Sequence, residues 1–449
     1  MPGPLSSAAP RLAPRWFDVL RALEEAGAGT PAYVYDLDAM QRDASAVVAA
    51  FGARAGNVFY AVKANSAGPI VRAITAAGSS EARVRSETSL AATSARACGA
   101  DVVTGAELLL ALRCGIDPDR VVYSGVAKAD EELDAAIGCG ERGIRAIQAE
   151  SIEELPRIDA RARAAGRVAR VALRINPGVS FEELGTHAHV ATGHDEAKFG
   201  IAKDDLGFAL AEVDAAKNVA LCGLSSHVGS QFFRVDPYVT AARILCGIAK
   251  GVRASRPLEF LDTGGGFGVD YTGQSPAAPA ADFVRAAFEV MRQEGQDDLA
   301  LHVEPGRCLV AAHGVLVARV IQRKVSRARP QDRWLMIDAG MNDLIRPALY
   351  QAKHRVVPLG MPGSGAPSSP WRVVGPVCES ADDFGEHPLP DGGFDHVALL
   401  DAGAYGYTMA SRYNGRAMPA EVFVSGGRVV ASVARRGMGE WAEERAGVR

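Results

Sequence analysis

Lys63 is a charged residue inside an otherwise apolar segment, residues 59–65 (FYAVKAN). Burial disfavours the ammonium form of a lysine, so a lysine in such a segment is costly unless it is paired or deprotonated. A neutral amine is the nucleophile that a Schiff-base lysine needs. The alternative is a structural lysine in an ion pair with a carboxylate, and Lys63 alone does not distinguish the two.

Three consecutive glycines, Gly264, Gly265 and Gly266, lie in the segment 262–268 (DTGGGFG), after an apolar run and before an expected helix. Such glycines let backbone N–H groups approach a phosphate at a helix N-terminus. The pattern does not fit the dinucleotide fingerprint, because no βαβ unit with a ribose-binding acid surrounds it. The segment therefore predicts a site for a phosphate monoester, with a plain glycine turn as the alternative.

Glu304 ends another apolar run and opens the segment 304–307 (EPGR). A carboxylate beside a pyridine nitrogen keeps that nitrogen protonated and makes the ring a strong electron sink, as decarboxylation requires. His227 is expected to stack on such a ring. The alternative is a buried histidine that is hydrogen-bonded within the core.

The bulk composition sets limits on the class of protein. The chain has 449 residues and a formal net charge of -4, with 48% hydrophobic and 23% charged residues, which predicts a globular protein of two domains. The interspersed charges give no electrostatic footprint for nucleic acid or for an anionic membrane. No apolar run is long enough to span a bilayer.

The cysteines point to a reducing compartment. Seven of them are scattered without a CxxC motif, which argues against a disulfide framework or a metal site. Residues 1–15 lack the apolar core of a signal peptide. We therefore expect a cytoplasmic protein that holds no metal.

The elements that must position these residues are eight short apolar runs, with helical periodicity between most of them. Fully apolar strands that alternate with helices indicate parallel βαβ units, and eight such units close a (β/α)8 barrel. Chemistry in such barrels lies at the carboxyl ends of the strands, where the polar residues named above cluster, although random loop polarity is the alternative. The runs cover residues 58–65, 100–105, 120–125, 144–151, 171–178, 221–230, 258–266 and 301–307.

After about residue 312 the pattern becomes strand-rich, which predicts a second domain, a β-barrel or sandwich. Residues 30–35 (TPAYVY) are expected to add one strand to it. The fold class is thus α/β, with the (β/α)8 barrel over 40–311 and a β-rich domain from 1–39 and 312–449. The expected strands of that domain cover 315–325, 334–338, 371–377, 396–401 and 420–432.

From about residue 30 to residue 430 the sequence resembles the alanine-racemase-like, fold type III decarboxylases, and within them the diaminopimelate decarboxylase family. The resemblance implies the cofactor pyridoxal 5'-phosphate (PLP). Many ordered motifs carry it: TPAYVYD (30–36), FYAVKAN (59–65), RINPG (174–178), TGHDEAKFGI (192–201), HVGSQ (227–231), DTGGGFG (262–268), EPGR (304–307), DAGMNDLIRPALYQA (338–352), GPVCES (375–380) and DAGAYGYTMASRYNGR (401–416).

The resemblance also implies a role for each matching residue. Lys63 would form the Schiff base, and Cys378 would be the general acid that protonates the product. Ser230 and the three glycines would hold the phosphate, aided by Tyr405. The implied cofactor-binding residues are Lys63, His227, Ser230, Gly264, Gly265, Gly266, Glu304, Pro305, Gly306, Arg307 and Tyr405. The implied substrate-binding residues are Arg307, Arg346, Tyr350, Glu379 and Tyr405. In the family the cysteine comes from the second subunit, which implies a homodimer with a shared active site.

The substrate residues can be weighed physically. Two arginines can bind carboxylates in bidentate fashion, and Glu379 can pair with an ammonium group. A substrate with an amino-acid group at each end can pair with the arginines and with Glu379, so meso-diaminopimelate fits better than lysine or ornithine. The products would be L-lysine and carbon dioxide. The alternative is that Arg346 and Glu379 pair with each other.

Three features depart from the family pattern. Residues 79–96 form an insert-like polar segment, either a solvated elaboration or a lid or partner contact. Gly185 replaces a usual histidine, whereas His187 keeps the next one. Lys353 replaces a usual aromatic residue in the stretch after Tyr350. The last two changes lie near the expected pocket, so they bear on which substrate is bound and not on the class of reaction.

Three other functions compete with this one. The first is decarboxylation of another amino acid, such as ornithine, lysine, carboxynorspermidine or a carrier-bound amino acid. The second is racemization, which Glu304 argues against because racemases of this fold place an arginine at the pyridine nitrogen. The third is a non-catalytic PLP-binding paralogue, although the chain keeps every residue that the chemistry needs.

Overall fold

The computed structural model describes residues 18–54, 56–78, 98–179, 198–360 and 368–447. These residues form two compact units. The β-rich unit contains the described residues up to Ala39, Asp270–Ser275 and those from Val310 onward, and the barrel unit contains the described residues of Met40–Val269 and Pro276–Leu309. The insert-like segment 79–96, Gly185 and His187 lie outside the described residues.

The first elements, helix α1 (Val19–Ala26) and strand β1 (Ala32–Asp36), belong to the β-rich unit. The side chain of Asp18 accepts hydrogen bonds from the N–H groups of Leu20 and Arg21, and Gly27 ends the helix in the left-handed conformation at φ 59°. Strand β1 is buried over its first four residues. The strand expected near residues 30–35 is therefore present.

The barrel unit contains the eight expected parallel strands. They pair in the order β5-β4-β3-β2-β10-β9-β8-β6, and the pairing of β5 with β6 closes the barrel. The predicted (β/α)8 barrel is thus confirmed. A short additional strand, β7 (Ile201–Ala202), pairs with β6. The eight strands are β2 (Gly56–Ala61), β3 (Gly99–Val102), β4 (Val121–Tyr123), β5 (Ala146–Ala149), β6 (Ala169–Asn176), β8 (Val219–Ser225), β9 (Phe260–Asp262) and β10 (Ala300–Val303).

The helices around the barrel bury one face each. Helix α9 buries Phe283, Val284, Phe288 and Met291, a spacing that puts them on one side of the helix. Within the described residues, no helix combines the length and the apolar character needed to cross a bilayer. The helices are α2 (Leu37–Ala49), α3 (Gly68–Thr75), α4 (Gly105–Arg113), α5 (Asp130–Gly138), α6 (Glu154–Ala164), α7 (Leu206–Ala215), α8 (Asp236–Arg253), α9 (Ala280–Gln293) and α10 (Arg307–Val310).

The β-rich unit is built on a mixed sheet of nine strands, which confirms a separate β domain. Seven strands follow the order β15-β14-β12-β11-β1-β17-β18, while β16 pairs with both β11 and β13. Val34, Val315, Val357 and Val422 meet in its core. The other elements are β11 (Gly314–Val325), β12 (Arg333–Ile337), β13 (Val356–Leu359), β14 (Ser368–Val374), β15 (Asp383–Pro390), β16 (His396–Leu399), β17 (Ala420–Ser425), β18 (Arg428–Val433), α11 (Arg346–Tyr350) and α12 (Met438–Ala446).

Three expected strands of this unit differ from the structure. The strand expected over 371–377 ends at Val374, because Pro376 has no N–H group and the N–H of Val377 donates to the Asp382 carboxylate at 2.6 Å. The run 420–432 is a hairpin of two strands that turns at Gly426 and Gly427, both with positive φ. The segment 396–401 stops pairing at Leu399.

One segment of the chain departs from the expected domain division, which placed residues 270–275 in the barrel. The structure groups Asp270–Ser275 with the β-rich unit. The Tyr271 ring lies edge-on to His354 with centroids 5.2 Å apart, and Gly273 lies beside the Arg355 guanidinium. These contacts draw the segment into the β-rich unit.

We predict that Leu316→Ala destabilises the β-rich unit by about 2–5 kcal/mol, because Leu316 is fully buried on the strand that pairs with β1, β12 and β16. The matched control is Ile321→Ala on the same strand, where the side chain is 55% exposed and the change should stay within about 0.5 kcal/mol. Urea unfolding of both variants measures the difference. Equal destabilisation by the two variants would contradict this packing.

Candidate functional site

Lys63 lies in a single 3-10 turn, Val62–Ala64, directly after β2. Its Nζ atom contacts Oδ2 of Asp101 at 2.5 Å, and Oδ1 of Asp101 accepts from the Ser124 hydroxyl at 2.6 Å. The lysine side chain is 34% exposed, whereas that of Asp101 is fully buried. Lys63 therefore forms the ion pair expected of a structural lysine, but its side chain is accessible to solvent.

Lys128 provides a comparison within the same barrel. Its side chain is 1% exposed, and Nζ contacts Glu154 at 2.9 Å. It also donates to the backbone carbonyls of Gly125 at 2.7 Å and Gln148 at 2.8 Å. Lys128 is thus an enclosed structural lysine, and Lys63 is the lysine of the two that a small molecule can reach.

The Glu304 segment packs directly against the Lys63 turn. The N–H of Ala61 donates to the carbonyl of Pro305 at 3.1 Å. A Cβ atom on Gly306 would lie 2.9 Å from the Cβ of Ala61 and 3.1 Å from that of Ala64, so this close approach requires glycine. The carboxyl ends of β2 and β10 therefore bring Lys63 and Glu304 into one site.

Glu304 and Asp262 are two buried acids that share one donor. The Nε2 atom of Gln148 donates to Oε1 of Glu304 at 2.6 Å and to Oδ2 of Asp262 at 3.3 Å. Burial raises the pKa of Glu304 well above its usual range, and the negative charges of Asp101 and Asp262 raise it further. Burial also raises the pKa of Asp262 to about 7. These shifts favour the protonated form of Glu304.

The glycine segment forms a tightly packed loop between two other backbones. Gly264 and Gly266 have φ values of 70° and 86°, in the left-handed region that favours glycine. A Cβ atom on Gly265 would strike the carbonyl of Glu304, and one on Gly266 would strike the carbonyl of Gly229. The expected helix does not follow this loop, because Phe267 instead forms a bridge with Phe232 and the next helix, α9, begins at Ala280.

His227 lies beside the glycine loop and is neutral. Its Nδ1 atom accepts from the N–H of Gly265 at 3.2 Å, which places the imidazole proton on Nε2. Burial lowers the pKa of His227 well below its usual range, and the charges of Arg174 and Lys63 lower it further. The Arg174 guanidinium also donates to the His227 carbonyl at 3.2 Å and pairs with Glu150 at 2.8 Å.

Ser230 and Arg307 are adjacent in the same unit. The Nη2 atom of Arg307 donates to the Ser230 hydroxyl at 3.2 Å. Gly229, which precedes Ser230, is the residue whose carbonyl lies against Gly266. The structure therefore brings together a hydroxyl, a guanidinium and the glycine loop, which are groups suited to a phosphate.

The β-rich unit holds Arg346 in a fixed orientation. Arg346 is buried at the start of α11, and its Nη1 atom donates to Nε2 of His354 at 2.8 Å. Since arginine can only donate, His354 carries its proton on Nδ1, which donates to the Leu400 carbonyl at 2.8 Å. The guanidinium carbon also lies 4.3 Å from the centre of the Tyr271 ring.

Cys378 and Glu379 lie on an exposed loop of the β-rich unit. The N–H of Cys378 donates to Oδ1 of Asn414 at 2.9 Å, and Glu379 accepts from the Tyr413 hydroxyl at 2.6 Å. The Cys378 thiol is exposed. Arg346 therefore contacts His354, whereas Glu379 contacts Tyr413.

The remaining expected residues also belong to the β-rich unit. Tyr405 has a φ of 55°, a strained conformation for a tyrosine. Tyr350 is 39% exposed at the end of α11, and Lys353 is exposed just beyond it. The two sets of residues therefore come from different units.

Several polar residues around Lys63 and Glu304 were not predicted from the sequence. Asp101, Gln148 and Arg174 are each polar within a largely apolar strand, the same feature that singled out Lys63. That feature was sufficient to find them. His354 gave no comparable pattern, because its partner Leu400 is 46 residues away in sequence.

A closed parallel barrel with a reachable lysine, a proton-bearing buried acid and a glycine loop at the strand ends defines a barrel enzyme of the PLP class. Comparison with known families agrees. The model of the pyridoxal-dependent decarboxylase, pyridoxal binding domain, matches residues 37–311. The chain therefore belongs to the pyridoxal-dependent decarboxylases, and its cofactor is pyridoxal 5'-phosphate.

Its relatives are named diaminopimelate decarboxylases. The chain is 37% identical to one from Zymomonas mobilis and 35% identical to one from Haemophilus influenzae, with 89% of both chains covered in each comparison. Among solved structures, the enzyme from Helicobacter pylori in complex with L-lysine has a TM-score of 0.80 at 32% identity, covering 93% of this chain and 98% of that one. The enzyme from M. jannaschii with L-lysine has a TM-score of 0.81 at 29% identity and covers 94% of both chains.

We predict that Gly265→Ala lowers the affinity for PLP by about tenfold or more, since the new methyl group forces the loop away from the Glu304 backbone. Gly247→Ala in helix α8 is the control, because nothing lies within 4 Å of its Cβ position. Equilibrium dialysis of the two apoproteins with PLP measures the effect. An unchanged affinity in Gly265→Ala would contradict the packing of the loop.

Proposed function

We propose that the protein decarboxylates meso-2,6-diaminopimelate to L-lysine and carbon dioxide. The observation that carries the proposal is the packing of the Glu304 segment against the Lys63 turn, which puts an amine and a proton-bearing acid in one site. The names of the relatives and the L-lysine complexes of two of them support the choice of substrate.

In this proposal Lys63 attaches the cofactor, and Glu304 sets the protonation of the pyridine nitrogen. When bound, PLP supplies an aldehyde for Schiff-base formation and a pyridine ring that withdraws electrons from the substrate's α-carbon. Asp101 holds the Lys63 Nζ atom in place until the amine reacts. Glu304 would face the ring nitrogen and would bring the proton that this nitrogen needs, since burial favours the protonated acid.

The groups beside Lys63 would hold the rest of the cofactor. The Ser230 hydroxyl, the Arg307 guanidinium and the loop of Gly264, Gly265 and Gly266 would bind the phosphate, with Tyr405 as a further contact. His227 would stack on the ring as a neutral imidazole, which avoids placing a second positive charge beside a protonated pyridine. Pro305 and Gly306 would act through their backbone contact with Ala61.

Arg346, Tyr350 and Glu379 would recognise the distal end of the substrate. Arg346 is held by His354 and Tyr271, so its planar guanidinium is pre-oriented for a carboxylate. Glu379 would pair with the distal ammonium group, and Tyr350 would line the site. Fixing the arginine before binding reduces the entropy lost when the substrate is bound.

Cys378 would donate the proton that replaces the lost carboxylate on the α-carbon. We infer that it does so in the partner subunit's site, because its thiol is exposed on a loop anchored by Asn414 and Tyr413. This requires a homodimer with a shared active site. The described cysteines are all free thiols, which supports placement of the protein in the cytoplasm.

The substrate is tested by carbon dioxide release from a panel of meso-diaminopimelate, lysine, ornithine and carboxynorspermidine. We expect turnover of diaminopimelate to dominate, and we expect none in Lys63→Ala, which loses the attaching amine. Lys250→Ala, an exposed lysine on α8, is the control and should behave as wild type. Preference for another member of the panel, or full activity in Lys63→Ala, would overturn the proposal.

The shared site is tested by mixing two inactive variants, Lys63→Ala and Cys378→Ala. Random reassociation of equal amounts makes half of the dimers mixed, and each mixed dimer has one site with both residues, so roughly a quarter of wild-type activity should return. Native mass spectrometry, with one variant isotopically labelled, confirms that subunits have exchanged. Exchange without recovery would show that both residues act from the same chain.

A further inference from the structure

Gln148 and Asp262 form a buried cluster with Glu304 that the proposed function does not use. The Gln148 side chain is fixed at both ends, because its Oε1 atom accepts from the Ser225 hydroxyl at 3.0 Å while its Nε2 atom donates to both carboxyl groups. Asp262 is fully buried, and its Oδ1 atom accepts from the N–H of Gly264 at 2.9 Å. One amide nitrogen therefore spans two acids and aligns them.

We propose that Asp262 and Gln148 are positioning residues that set the protonation of Glu304, so that the pyridine nitrogen of the cofactor receives its proton from Glu304 rather than from solvent. The inference rests on the proposed function for the place of Glu304 opposite that nitrogen. In the transfer, the O–H bond of Glu304 breaks and an N–H bond forms on the ring. The proton count of the site does not change.

Asp262 and Gln148 have opposite effects on the number of protons that the two acids hold. The negative charge of Asp262 disfavours a second charge on Glu304 and so keeps the proton there. The N–H groups of Gln148 stabilise the single negative charge that the pair carries and so prevent both acids from being protonated.

Other charged groups at the strand ends also shift the pKa values of Glu304 and Asp262. The acid of Asp101 raises the pKa of Glu304, and the cations of Lys63 and Arg174 lower it. The charge of Asp101 likewise raises the pKa of Asp262, and the charge of Arg174 lowers it.

Two nearly isosteric substitutions separate these effects. In Asp262→Asn the charge is lost, while Oδ1 can still accept from Gly264 and the new amide can donate to Glu304, so Glu304 ionises at lower pH. In Gln148→Met both donors are lost, so the pair holds more protons. The control is Asp343→Asn, a buried acid of the β-rich unit whose pKa burial also raises to about 7 and whose side chain also accepts from a backbone N–H.

The test is calorimetric titration of each apoprotein with PLP at mildly alkaline pH, in buffers that differ in ionisation enthalpy. The number of protons exchanged on binding is compared between each variant and wild type. Protons exchanged by the phosphate and by Lys63 are common to both and drop out of the difference. We expect Asp262→Asn to take up about one more proton per site, since its Glu304 arrives without one. We expect a shift of opposite sign in Gln148→Met and no shift in Asp343→Asn.

Equal proton exchange in wild type and in both site variants, or shifts of the same sign in both, would overturn the inference. If a variant binds no cofactor, the infrared band of protonated carboxyl groups in its apoprotein decides instead. We expect that band to be weaker than wild type in Asp262→Asn and stronger in Gln148→Met, and any other pattern refutes the inference. Because the readout is not turnover, failure of wild type to release carbon dioxide would count against the proposed function alone.

Discussion

The burial of three carboxyl groups inside one end of the barrel, those of Asp101, Asp262 and Glu304, constrains all the surrounding side chains. Buried charges are tolerated only when they are paired, hydrogen-bonded or neutralised, and each acid meets that requirement differently. Asp101 pairs with Lys63, Asp262 accepts the N–H of Gly264, and Glu304 keeps its proton. A reachable amine and an acid that holds a proton are both consequences of this one requirement.

The same requirement distinguishes the two lysines inside the barrel. Lys128 is enclosed by Glu154 and two carbonyls, so its charge is fully compensated and its amine is inaccessible. The Lys63 amine contacts the Asp101 carboxylate, and the lysine side chain is partly exposed. A lysine that attaches a ligand must be able to break its ion pair. Asp101 can then accept hydrogen bonds from other groups at the strand ends.

Much of the barrel could be predicted from the sequence because its strands are buried on both faces and are therefore continuously apolar. The β-rich unit is harder to predict. Strand β15 contains Pro388 and Pro390 and is tolerated only because it lies at the edge of the sheet, where a missing N–H group costs little. In the site, Lys63 and Glu304 could be identified from their apolar neighbours. The role of Gln148 could not, because its partners Ser225 and Glu304 lie 77 and 156 residues away.

The central claim is that Lys63 is the residue to which the cofactor attaches. Borohydride reduction of the holoenzyme, followed by proteolysis and mass spectrometry, locates the pyridoxyl group directly. We expect modification of the peptide that contains Lys63 and none of the peptide that contains Lys128. A pyridoxyl group on Lys128, or on any lysine other than Lys63, would contradict it.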